Sequence, residues 1–271
     1  MSGRVNIFEA ENVSKVFSVK RSLLELFWSP HGGVKAVDSV SLSVREGEVL
    51  GIIGESGSGK TTFGFLLANL EPVSSGQISY RSKPLKQMSR QERANFRRKV
   101  QVVFQDSSSA LNPRRSISSA LRDSLRLGGT PANERDAAVA KLLVSVGLSE
   151  DHGRRYPHQL SGGQRQRVGI ARALAMKPEV IVADEPVSAL DVSLQGQIIN
   201  LLMRLQVELD LTVILISHDI AVVRHVCHRV AVMYGGKLVE LGDTSQVVDH
   251  PQHDYTKRLV AAVPKGLAGR R

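Results

Sequence analysis

The strongest chemical signal in the chain is Gly54-Glu55-Ser56-Gly57-Ser58-Gly59-Lys60-Thr61-Thr62. Glycines at these spacings let backbone N–H groups converge on anionic oxygens. Lys60 has the reach to meet β- and γ-phosphates, and the Thr61 hydroxyl is placed to bind Mg²⁺. The apolar run Val49-Leu50-Gly51-Ile52-Ile53 precedes the loop and reads as a buried strand, while Phe63 to Leu70 reads as a helix. Strand, Gly-rich loop and helix in that order are what a phosphate cradle requires. A Gly/Ser turn with an incidental lysine is the competing reading, and the full pattern in its context stands against it. The spacing therefore implies a bound nucleoside triphosphate.

A second constellation supplies hydrolytic chemistry. Val180-Ile181-Val182-Ala183-Asp184-Glu185 is a buried strand that delivers two carboxylates at its C-terminal edge, where ligands bind in an open α/β sheet. Asp184 can hold Mg²⁺ through water, and Glu185 can act as general base toward the attacking water. His218 follows the apolar strand Thr212 to Ile216 and ends at the same edge. It can hydrogen-bond the γ-phosphate or orient the water. Gln105, ending a strand at 100–104, can reach Mg²⁺ or the water from the opposite side. Leu160-Ser161-Gly162-Gly163-Gln164 opens a helix with Ser161 as N-cap, a second anion-binding end. One γ-phosphate does not need two cradles from one molecule, so the second serves a nucleotide bound by another subunit.

The elements that must position these groups follow from the apolar pattern. Residues 5–16 and 34–53 and Gln77 to Tyr80 read as strands. Ser89 to Arg98 reads as a polar helix whose Arg97-Arg98-Lys99 is a solvated face. Helical runs near 116–127, 133–147 and 162–176 precede the strand at 180–183. A helix over roughly 192–208 leads to the strand ending at 216. This is an α/β core interrupted by a mostly helical insert. Lys20 to Gly33, with Leu23, Leu24, Leu26, Phe27 and Trp28, reads as a hairpin packed on its own domain or as an amphipathic turn at a membrane surface. Gly266 to Arg271 reads as a frayed tail.

The 271 residues are 42% hydrophobic and 23% charged, as in a soluble globular protein. No apolar run approaches the ~18 residues that cross a bilayer, and no secretory signal is expected. The single cysteine, Cys227, excludes a disulfide framework, an iron–sulfur cluster and a cysteine-rich zinc site built from this chain alone. A reducing, cytoplasmic setting fits. The net charge of +10 suits nucleic acid or an anionic membrane face and does not choose between them.

Taken together, these residues resemble the ATP-binding cassette (ABC) family over roughly 5–264. Gly54 to Thr62 resembles its Walker A loop, Val180 to Glu185 its Walker B strand and Gln105 its Q-loop. Leu160 to Gln164 is similar to its signature motif, Ser188-Ala189-Leu190-Asp191 to its D-loop and His218 to its switch histidine. Phe17 sits where an upstream aromatic stacks on adenine in the family; the alternative is a core phenylalanine. The resemblance implies a single cassette over 1–271 with a P-loop NTPase core, 1–105 and 177–250. It implies a mostly parallel sheet, an antiparallel β subdomain, an inserted helical signature subdomain at 106–176 and a C-terminal extension at 251–271.

A narrower resemblance is to the peptide and nickel importer ATPases. It rests on Gln105-Asp106-Ser107-Ser108-Ser109-Ala110-Leu111-Asn112-Pro113-Arg114 and on His250-Pro251-Gln252-His253-Asp254-Tyr255-Thr256-Lys257. Ser107-Ser108 departs from a more usual Pro-aromatic pair and Val187 from a usual Thr; neither touches the hydrolytic groups. The resemblance implies ATP and Mg²⁺ as cofactors, with Thr61, Gln105 and Asp184 toward the metal. It implies a head-to-tail partner cassette, identical or different, two transmembrane permease subunits and an extracytoplasmic substrate-binding protein. It places the chain peripherally on the cytoplasmic face of the inner membrane, with no nucleic acid expected. Two alternatives remain: a soluble ABC ATPase acting on nucleic acid or the ribosome, and a P-loop kinase, against which the signature motif argues.

Overall fold

In the computed structural model, residues 5–18, 33–105 and 111–262 are described. The chain runs β1 (Asn6–Ser18), β2 (Gly33–Arg45), β3 (Val49–Ile53), α1 (Lys60–Leu67), β4 (Ser75–Tyr80), β5 (Lys83–Pro84), α2 (Arg90–Lys99) and β6 (Val100–Val103). It continues with α3 (Ile117–Leu127), α4 (Arg135–Ser145), α5 (Gly162–Leu174), β7 (Val180–Asp184), α6 (Val192–Glu208) and β8 (Thr212–Ile216). It closes with α7 (Ile220–Val226), β9 (Arg229–Tyr234), β10 (Lys237–Asp243), α8 (Thr244–Asp249) and α9 (Asp254–Ala261). These elements divide into two compact units, one from residues 1–46, 50–88 and 216–271, the other from 47–49 and 89–215.

The first unit holds an antiparallel sheet in the order β2-β1-β4-β5. Alternation builds it: Val40, Leu42 and Val44 on β2 and Phe8 and Ala10 on β1 are buried at period two, and Val13 is buried after an irregularity in register that follows Ala10. Phe8 faces Tyr80 across the β1–β4 pairing, their rings 5.3 Å apart. The same unit carries a second set of strands in the order β10-β9-β3, with β3 parallel to β9 and β10 antiparallel to it. Every residue of β3 is buried, the signature of a strand covered on both faces.

The second unit sets β8-β7-β6 in order, with β6 and β7 parallel. β7 is buried along its whole length. Around it lie helices whose start signals are explicit. Ser89 and Glu92 form a reciprocal capping box on α2, and Ser116 caps α3 by accepting the Ser119 N–H. Ile117, Leu121 and Leu125 are the buried stripe of α3 at four-residue spacing. On α2 only Phe96 is buried and Arg97 is exposed, in keeping with a solvated face.

A mostly parallel set of strands, an antiparallel sheet and helices thus agree with the expected fold class. Two boundaries differ. The expected helix over 63–70 is α1, and it begins three residues earlier, at Lys60. Gly59, with φ 99°, turns the chain directly into the helix, while Asn69 at φ 53° ends it early. Within 34–53 the short apolar runs are β2 and β3, parted by a turn, with β3 on the expected Val49–Ile53. β6 stops at Val103, so Gln105 lies in a bend beyond it. The Lys20 to Gly33 insert, apart from Gly33 at the start of β2, lies outside the described residues. So do Asp106 to Ala110 and the tail from Gly266.

Candidate active site

β3 ends at Ile53 and the loop 54–59 carries three glycines with left-handed φ: Gly54 at 150°, Gly57 at 79° and Gly59 at 99°. Two of them are required by close approach. A Cβ at Gly54 would lie 2.2 Å from the Met233 carbonyl oxygen, and one at Gly59 would lie 2.2 Å from that of Ala36. Gly57 is different: its Cβ position meets nothing within 4 Å. The loop is therefore pinned at its base and open at its crest, where Glu55, Ser56 and Gly57 are exposed.

Gly59 has no side chain to cap α1, so the first turn, Lys60, Thr61 and Thr62, forms an uncapped positive helix end. Lys60 is 5% exposed, and its Nζ donates to the carbonyls of Gly54 (2.8 Å) and Glu55 (2.7 Å), curling the loop around the ammonium. The Ser58 hydroxyl is buried with no hydrogen-bond partner. An orphaned donor, a lysine folded into the loop and a helix N-terminus are what a phosphate chain fits.

In the same unit, Ser217 follows β8 and donates its N–H to the Ile52 carbonyl at 3.1 Å, two residues before Gly54. That bond brings His218, which is exposed, to the phosphate-loop end of β3. Asp219 locks the position by capping α7, accepting from Ala221 and Val222. Phe17 lies near the end of β1 and is 39% exposed, which removes the core-phenylalanine alternative. Its ring carries the Lys15 ammonium at 4.8 Å.

In the second unit, β6 and β7 run parallel with Val103 opposite Ala183. This puts Gln105, Asp184 and Glu185 together at the C-terminal edge of that pair. Asp184 is buried and Glu185 half-buried. Glu185 holds φ 44°, a left-handed conformation for a residue with a side chain, which costs about 1–3 kcal/mol and concentrates at functional sites. Its carbonyl is held by the Ser188 N–H and hydroxyl. The turn Ser188-Ala189-Leu190-Asp191 then feeds α6, with the Asp191 carbonyl accepting from Leu194 and Gln195.

Leu160 is buried and Ser161 exposed at the start of α5. Ser161 and Gln164 form a capping box: Oγ accepts the Gln164 N–H (3.3 Å) while Oε1 accepts the Ser161 N–H (3.0 Å). A Cβ at Gly162 would touch Leu190 at 3.2 Å, so the turn at 188–191 packs on the start of α5. Two contacts escape sequence reasoning. Gln166, buried on α5, donates to the Phe104 carbonyl beside Gln105 (3.4 Å), tying α5 to the bend that follows β6. His152 lies 3.2 Å from the Gln164 amide nitrogen.

Thr61 in the first unit, and Gln105 and Asp184 in the second, each offer oxygen donors of the hard type that Mg²⁺ takes alongside phosphate oxygens. No helix among the described residues is long and apolar enough to cross a membrane.

The ABC transporter family profile matches residues 37–188. The chain is 45% identical over 257 residues to an oligopeptide transport ATP-binding protein of Streptococcus mutans, covering 94% of this chain and 83% of that one. It is 43% identical over 254 residues to a dipeptide transport ATP-binding protein of Lactococcus lactis subsp. cremoris, covering 92% and 81%. Among solved structures, a dimeric ATP-binding cassette in a post-hydrolysis state, bound to ADP and phosphate, matches with a TM-score of 0.75 and 30% identity over 88% of this chain and 98% of that one. With the phosphate loop, the strand-end carboxylates and the capped signature helix on one polypeptide, the chain belongs to the ABC transporter family of ATP-binding cassettes.

Proposed function

We propose that this chain is the ATP-hydrolysing subunit of a multi-subunit ABC importer that carries peptides, dipeptides or oligopeptides. The observation that carries the reading is the exposed, Ser161-capped end of α5 on a chain that already owns a complete phosphate loop. The cargo class follows from the relatives, which are named for dipeptide and oligopeptide transport. They give no support to a role on nucleic acid or to a kinase.

In this reading Lys60 and the N–H groups of the first turn of α1 neutralise the triphosphate, and the Ser58 hydroxyl donates to it. Phe17 stacks on the adenine. Thr61, Asp184 and Gln105 would hold Mg²⁺, which would offset phosphate charge. Glu185 accepts the proton of the attacking water as its oxygen bonds to the γ-phosphorus and the bond to the β-phosphate oxygen breaks. His218 orients that water or the γ-phosphate. Ser161, Gly162 and Gly163 present the α5 N-terminus to the triphosphate of a partner cassette, whether identical or different. ATP then acts as the interfacial ligand of a two-state switch, favouring closure by its differential affinity. Two permease subunits form the pore, an extracytoplasmic binding protein delivers cargo, and the cassette works on the cytoplasmic membrane face.

The test is reconstitution in vesicles with two candidate permease subunits and a peptide-binding protein. Peptide uptake driven by internal ATP is expected, and it stops in Glu185→Gln. Uptake that continues in that variant, or ATPase activity stimulated by nucleic acid and not by the permeases, overturns the proposal.

A further inference from the structure

The C-terminal segment, to which the mechanism above assigns no task, reaches the phosphate loop. Glu240 on β10 accepts the backbone N–H groups of Gln252 (2.9 Å) and His253 (3.1 Å), clamping the turn that leads into α9. His253 Nδ1 then accepts the Tyr255 N–H at 3.2 Å and caps the helix. The clamp turns Tyr255 inward. Its ring centroid lies 4.2 Å from that of Tyr234 at the end of β9, and it is 3% exposed. Its hydroxyl accepts the Glu55 N–H at 2.8 Å. Burial pushes the phenol above its ordinary pKa, so it stays protonated and neutral at physiological pH.

We infer that Tyr255 is a positioning residue for ATP: its hydroxyl fixes the Glu55 peptide and so sets the direction in which the crest of the phosphate loop presents its N–H groups. The inference rests on the triphosphate reading of that loop. The physical need is plain. Glu55, Ser56 and Gly57 are exposed, and Gly57 has open space where a side chain would pack. A crest of this kind must be ordered when phosphate arrives, and a tether that orders it beforehand lowers that entropic cost. β9 carries Tyr234 and also pairs with β3, the strand that feeds the loop, so the tether and the loop share one frame.

Tyr255→Phe in the full chain keeps the ring and its stacking on Tyr234 and removes only the hydroxyl. ATP binding by calorimetry, steady-state ATPase kinetics and nucleotide-free thermal unfolding separate the outcomes. Loss of one ordering hydrogen bond is expected to raise Kd and KM for ATP about 3–10-fold, with kcat within about twofold of wild type. Glu240→Ala, which releases the clamp but leaves the hydroxyl, should shift Kd in the same direction. Two results overturn the inference: a wild type that binds ATP with a Tyr255→Phe variant equal to it, or a variant with lower kcat and melting temperature but unchanged KM. A wild type that binds no ATP sinks the triphosphate reading itself and this inference with it.

Discussion

Ser58→Ala should move stability and affinity in opposite directions. The Ser58 hydroxyl is buried and has no hydrogen-bond partner. An unsatisfied buried polar group costs about 1–3 kcal/mol. Alanine keeps the Cβ and removes that group, while the space left is smaller than a methylene, whose burial is worth about 0.8 kcal/mol. The nucleotide-free protein should therefore gain about 1 kcal/mol, a rise in Tm of about 2–4 °C for a chain of this size. If that hydroxyl donates to a charged phosphate oxygen, as proposed, the triphosphate loses a bond worth about 1.5–3 kcal/mol, so affinity should fall roughly 10–100-fold. Thermal unfolding without nucleotide and calorimetry with ATP and Mg²⁺ read the two effects separately. A variant that is less stable without nucleotide, or that binds ATP as wild type does, refutes the assignment of this hydroxyl to phosphate.

Other consequences are as concrete. Glu185→Gln should retain ATP binding and lose turnover by about 10²–10⁴-fold, the usual worth of a general base; phosphate release at the wild-type rate would remove Glu185 from that role. Cys227 is buried and burial pushes its thiol up to about 12. It should react with a thiol reagent at pH 8 only on unfolding, and fast stoichiometric labelling of the native chain would contradict this. For Glu240, burial pushes the carboxyl up, but the neighbouring Thr256 hydroxyl and the N–H groups of Gln252 and His253 outweigh that and leave it below the ordinary glutamate range. A depressed carboxyl contributes stability above its unfolded value and loses it as pH falls through the folded one. Amide protection in α9 should therefore drop on acidification in wild type, with Glu240→Gln showing little such pH dependence; equal acid sensitivity in both would refute the clamp.

What was legible in the sequence was whatever local chemistry dictates. Val180 to Ala183 announced a strand because burial on both faces leaves no polar position. The bounds expected for α6 match Val192–Glu208, along which Ile198, Leu202 and Leu205 form a buried apolar stripe. Helix α1 was misplaced because its first turn is written in the residues of the phosphate loop. Only the left-handed Gly59 shows that the helix has already begun. Tertiary hydrogen bonds were not legible at all. Tyr255 meets Glu55 across 200 residues, and Gln166 meets Phe104 across 62, and no local pattern encodes either. Phe17 needed burial to decide between its two readings, and its exposure decides against the core.

The measurement that bears most directly on the whole account is light scattering of the Glu185→Gln chain with and without ATP. With hydrolysis blocked, ATP should convert monomers to dimers, and Ser161→Arg in the same background should bind ATP and remain monomeric. Dimers indifferent to ATP, or ATP-driven dimers that survive Ser161→Arg, would contradict a nucleotide clasped by the capped helix of a neighbouring cassette.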